Sequence, residues 1–129
     1  MTMKDYINVR NVLNVALYVR KSRADIEAER KAKERGEYYD TLQRHRNQLL
    51  RLAKKRGYVI VEIYEEVVSG DTIEARPEMQ RLLKDVQDFK FDAIMVVEYD
   101  RLGRGDKQDQ GKIEEILADT DTIIITPDD

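Results

Sequence analysis

Three short segments carry side chains suited to attack on a phosphodiester. Arg20 and Ser22 lie in Tyr18-Val19-Arg20-Lys21-Ser22-Arg23, Ser69-Gly70 leads through to Arg76-Pro77, and Asp100-Arg101-Leu102-Gly103-Arg104 forms the third. A serine hydroxyl is a weak nucleophile until its proton is removed and the developing charge is stabilised. No histidine neighbours Ser22 in sequence, and His45 is the only one in the chain, so a serine-protease triad has little support. Arginine is the better clue. Guanidinium groups grip phosphate oxygens bidentately and stay charged at any working pH. A ring of Arg20, Arg76, Arg101 and Arg104 would stabilise the charge of a phosphoryl transition state without a metal.

Each residue also has an ordinary structural use. Ser22 can cap a helix in the charged segment behind it, and Asp100 can cap one after its own strand. Arg20 suits a surface, Arg76 a loop beside a helix-starting Pro77, and His45 the solvent face of a helix. Those uses do not predict that all of these residues fall at one place, which the elements decide.

Val12 to Val19 is apolar and β-branched, as a buried strand requires. Arg23 to Tyr39 is densely charged and reads as a solvated, mobile or partly helical insertion. Thr41 to Arg56 has helical spacing of Leu42, Leu49, Leu50 and Ala53, with Asp40 or Thr41 to cap it and Gly57 to stop it. Tyr58 to Val68 is a second strand, and Ser69-Gly70-Asp71-Thr72 a flexible turn. Pro77 opens a helix whose Met79, Leu82, Leu83 and Val86 form a stripe. Asp92 to Glu98 is a third strand, Gln108 to Ala118 a helix, and Thr122 to Thr126 a fourth strand.

The order β-α-β-α-β-α-β predicts an α/β fold: an open, mainly parallel sheet of four or slightly more strands, with helices on both faces and right-handed crossovers. Sites in such sheets form beyond the carboxyl ends of the strands. All three segments follow a strand, so one hydroxyl, four arginines and a carboxylate are expected at one edge. No phosphate-cradling glycine loop opens any of the helices, so no nucleotide cofactor is expected.

At 129 residues, the chain suits a single domain with one core. Its net charge of −3 is unlike that of an ordinary basic nucleic-acid binder, so contact with a polyanion must come from clustered arginines or another domain. The absence of cysteine excludes disulfides and thiolate metal sites and fits a reducing compartment. A lone histidine cannot build a histidine-rich metal centre. No apolar run approaches a membrane span and no signal peptide is legible, so a cytoplasmic location away from membranes is expected.

Tyr18-x-Arg20-x-Ser22, Ser69-Gly70 to Arg76-Pro77-Glu78-Met79, and Asp100 to Arg104 together resemble the catalytic domain of the serine recombinases, the resolvase/invertase family. The likeness is strongest to its large-integrase branch. It runs from about Asn14 to Asp129, and three ordered motifs, each behind its own strand, make it specific.

The resemblance implies that Ser22 attacks a DNA backbone phosphate, giving a 5′-phosphoserine linkage and a free 3′-hydroxyl. Strand exchange then follows by subunit rotation in a homotetramer assembled from homodimers, with neither ATP nor metal. It makes Arg20, Arg76, Arg101 and Arg104 phosphate ligands, and Asp100 a residue that orients arginines or assists proton transfer. Tyr18, His45, Glu66 and Ser69 match supporting positions, with His45 standing where smaller resolvases often carry Gln.

The family's long helix and DNA-binding domains would begin beyond Asp129, so residues 1–129 are expected to be a truncated N-terminal catalytic domain, nearly inactive alone. Two alternatives stay open. One is a catalytically silent phosphate- or partner-binding module of a recombinase-like regulator; the other is a hydrolase using Ser22 and His45, which needs those side chains within hydrogen-bond reach.

Overall fold

A computed structural model describes residues 13–67, 72–103 and 107–128. Its elements in chain order are β1 (Asn14–Lys21), α1 (Arg23–Glu34), α2 (Thr41–Arg56), β2 (Val59–Val67), a 3₁₀ turn (Ile73–Ala75), α3 (Pro77–Gln87), β3 (Ala93–Met95), α4 (Asp100–Gly103), α5 (Lys107–Asp119) and β4 (Ile123–Ile125). The four strands form one parallel sheet in the order β2-β1-β3-β4. The expected open α/β sheet is therefore present.

β1 is central and buried on both faces, which is why it reads as a nearly continuous apolar run. Ala16 and Tyr18 point into a core with Met79, Leu82 and Val86 of α3 and Ile113 and Leu117 of α5. Val15, Leu17 and Val19 point the other way, against Leu49 and Ala53 of α2. The period-2 alternation of one strand thus feeds two cores.

A register shift between β1 and β2 sets the placement of Glu66. Val15 pairs with Ile60 but Ala16 pairs with Glu62, so β2 contributes one extra residue at Val61. Such a step moves every later side chain to the opposite face. Beyond it Tyr18 pairs with Tyr64, and Arg20 with Glu66, which puts Glu66 on the face that Tyr18 and Arg20 share.

Several boundaries differ from the sequence reading. The third strand pairs only over Ala93–Met95 rather than Asp92 to Glu98. One further bond, Val96 N to the Ile125 carbonyl at 3.0 Å, continues the ladder before the chain turns into α4. The charged segment behind Ser22 forms a twelve-residue helix, α1. α2 starts and stops as expected: Asp40 accepts from Gln43 N, and Gly57 closes it at φ 74°, a left-handed conformation that favours glycine. The 3₁₀ turn and α4 were not anticipated, since three or four residues carry no legible period.

Candidate active site

Ser22 is the first residue beyond β1 and the N-cap of α1. Its Oγ accepts from Asp25 N at 3.2 Å and donates to Asp25 Oδ2 at 2.9 Å, while Ser22 N donates to the same oxygen at 2.8 Å. This reciprocal capping box explains why a helix begins here. The ordinary reading of Ser22 and its chemical reading therefore coincide on one hydroxyl. In this structure the Ser22 hydroxyl proton is directed to the Asp25 carboxylate.

Asp25 escaped the sequence reading, although Ser-x-x-Asp is a legible capping signature. It also forms an ion pair with Arg101 in which both side chains are largely buried. Burial pushes the Asp25 carboxyl up, but the Arg101 guanidinium and the Ser22 bonds outweigh it and hold the pKa at about 2. Asp25 is thus an anion at any physiological pH, held by Ser22 and Arg101.

The arginines are organised by α4. Arg20 Nη2 donates to the Asp100 carbonyl at 3.0 Å, and Arg76 Nη1 to the Leu102 carbonyl at 3.3 Å. Arg101 reaches back from α4, its Nη1 donating to the Arg20 carbonyl at 3.3 Å and its Nε to Glu98 at 3.2 Å. Arg20 and Arg76 are 5% and 1% exposed, an unusual degree of burial for charged side chains. A four-residue turn therefore ties the segments after β1, β2 and β3 together. Asp100 contributes to Arg20 through its main-chain carbonyl, and its residue is otherwise exposed. Ser69 and Arg104 lie outside the described residues.

Behind the arginines, Glu66 is a buried carboxylate with full employment. It accepts from the Tyr18 hydroxyl at 2.9 Å and from the backbone N–H groups of Glu78 and Met79, each at 2.9 Å. The N-cap of α3 is Arg76, whose side chain makes no cap bond, so Glu66 caps that helix from the neighbouring strand. Burial first, and then the Glu66 charge, raise the Tyr18 phenol far above its ordinary value; it stays a neutral donor. Arg76 is fixed at the helix start that Glu66 holds.

His45 sits one turn into α2, half-buried. Burial, and next the Arg101 charge, lower its pKa below the usual 6.5, so it is neutral at pH 7.

The fold and this edge define a class: an open parallel α/β domain presenting a serine and converging arginines. Residues 15–129 match the resolvase N-terminal domain family, and the chain belongs to that family. Solved structures of similar fold include catalytic domains of a serine recombinase and of an integrase. The C-terminal catalytic domain of ISC1926 TnpA, an IS607-like serine recombinase, is 24% identical over 88% of this chain and 67% of that one, with a TM-score of 0.66. The N-terminal catalytic domain of TP901-1 integrase is 21% identical over 88% and 75%, TM-score 0.67. A resolvase family site-specific recombinase from Streptococcus pneumoniae is 21% identical over 88% and 71%, TM-score 0.62. At these identities the likeness is one of fold, and the fold is that of a recombinase catalytic domain. Among the described residues, no helix is long and apolar enough to cross a membrane.

Proposed function

We propose that this chain is the catalytic domain of a site-specific DNA recombinase whose nucleophile is Ser22. The observation that carries the reading is the meeting of Arg20, Arg76 and Arg101 around α4, with Ser22 joined to Arg101 through the Asp25 carboxylate. Ser22 Oγ attacks a backbone phosphorus, the bond from phosphorus to O3′ breaks, and the 3′ oxygen leaves with a proton that balances the one lost from Oγ. The product is a 5′-phosphoserine linkage. It conserves the phosphodiester energy, so religation is the same step reversed, with no ATP. Arginines supply the positive charge of the transition state, so the step as proposed calls for no metal. An incoming phosphate takes the place of the Asp25 carboxylate at Ser22 and Arg101.

Arg104 and Ser69 join the site as further ligand and support, Asp100 orients Arg20, and Tyr18, Glu66 and His45 are positioning residues. The partners are DNA recombination sites and further copies of the protein, from homodimer to synaptic homotetramer. The integration or excision of a mobile element is the fitting outcome, and the DNA-binding domains would lie in further sequence.

The test must separate the nucleophile from the cap, because Ser22→Ala removes both. Asn caps about as well as Ser and offers no hydroxyl. The full-length protein on its recombination site is expected to yield protein joined to DNA 5′ ends, and Ser22→Asn none, with the melting temperature retained. Covalent adduct formed by Ser22→Asn would refute the assignment. An intact wild-type protein that binds its sites but never forms the adduct would instead favour a silent, phosphate-binding regulator.

A further inference from the structure

We propose that the outward face of α2 is a second anion-binding surface that holds the DNA backbone beside the reacting phosphate. The inference rests on the DNA reading above and adds a surface to it. α2 contains Arg44, Arg46, Arg51, Lys54, Lys55 and Arg56 and no Asp or Glu, in a chain whose net charge is −3. α1 behaves differently: there Arg30 pairs with Glu27 and Glu34. Like charges at helical spacing destabilise a helix slightly, so one-signed charge on α2 is not what helix stability alone would favour.

The cations are arranged as well as numerous. Thr41, Leu49 and Ala53 face inward, while Arg44, Asn47, Arg51, Lys54 and Lys55 are exposed. Residues three and four apart share a face, so these form one stripe. From Arg44 to Lys55 it rises about 16 Å. One DNA strand presents a phosphate every ~3.4 Å of helix axis, so the stripe can face several in succession.

Its N-terminal part encloses an open cleft of about 250 Å³ lined by Arg44, His45, Asn47, Gln48 and Arg51. Among the described residues, every lining side chain can donate a hydrogen bond and none is a carboxylate, which suits phosphate oxygens, acceptors only. The start of α2 lies beside the end of β1, where Lys21, next to Ser22, reaches Asp40 at 4.0 Å, and the charges of Arg101 and Asp25 are felt at His45. Arg46 belongs elsewhere, paired with Glu65.

The experiment titrates this chain with a mixed-sequence duplex of about 20 bp across roughly 50 to 200 mM salt, read by fluorescence anisotropy. Replacing Arg44→Gln with Arg51→Gln is expected to weaken binding about tenfold at low salt. It should also reduce the slope of log K against log salt by about 2, from ~0.9 per lost phosphate contact. Arg30→Gln with Lys33→Gln on α1 makes the same change in net charge and is expected to keep the wild-type slope.

Arg44 stacks on Tyr39 at 4.4 Å, so Arg51→Gln with Lys54→Gln repeats the test without that contact. Equal losses in the α1 and α2 variants would overturn the proposal, as would a wild-type chain that binds no duplex. So would a poly-glutamate peptide held through Arg44 and Arg51 as tightly as DNA, which would make the surface a site for an acidic protein. The adduct assay reads the chemistry separately: no adduct, with an intact α2 effect, faults the reaction and leaves the surface standing.

Discussion

At Asp25 three groups share one carboxylate: the Ser22 hydroxyl, the Ser22 amide and the Arg101 guanidinium. The same contacts start α1, and under the proposed function they hold Ser22 and Arg101 until a phosphate displaces the carboxylate. The low pKa makes this testable. With a folded value of about 2 against 3.8 for the free side chain, the ionised carboxylate stabilises the fold above about pH 4. That contribution is lost as pH falls through the folded value. Urea unfolding should show the wild type more stable than Asp25→Asn at neutral pH, with the gap closing towards zero between about pH 4 and pH 2. A gap independent of pH over that range would mean that the charge of Asp25 contributes nothing.

At the scale of elements, the start of α3 depends on a residue of another strand. Glu66 receives two α3 amides and the Tyr18 hydroxyl, and removing it leaves those buried donors without an acceptor. Glu66→Ala is expected to cost on the order of 3 kcal/mol, since each unsatisfied buried donor costs about 1 to 3. Glu66→Gln, which keeps one acceptor oxygen, should cost less than half as much. Denaturant midpoints of the two variants check this, and equal losses would show that volume rather than hydrogen bonding matters there. The element also explains why Glu66 stood out in sequence only through family likeness: its role needs the register shift at Val61 and a helix eleven residues further on.

At the scale of the molecule, one strand carries both cores. Leu17 is fully buried in β1, packed in the α2-side core, and its neighbours Ala16 and Tyr18 face the other. Leu17→Ala is expected to cost about 3 kcal/mol through lost burial and a residual cavity. Because β1 also delivers Arg20 and Ser22, the loss should be cooperative: fluorescence and far-UV circular dichroism should give one shared, lowered midpoint. Separate transitions by the two probes would show that the faces unfold independently. Charge is likewise a property of the whole. The acidic total conceals a basic helix, and only the fold shows that its cations share one outward stripe.

The sequence by itself determined the alternation of strands and helices, the parallel sheet, and the gathering of Arg20, Ser22, Arg76 and Asp100-Arg101 at its carboxyl edge. Those follow from local periodicity and chain order, which the short range of backbone geometry makes readable. It did not determine which groups hold one another. That α4 would collect Arg20 and Arg76 on its carbonyls, that Asp25 would engage Arg101, and that Glu66 would cap α3 are contacts between residues distant in the chain. Hydrogen-bond partners of that kind are chosen by angstrom-scale register and burial, and only the tertiary structure decides them.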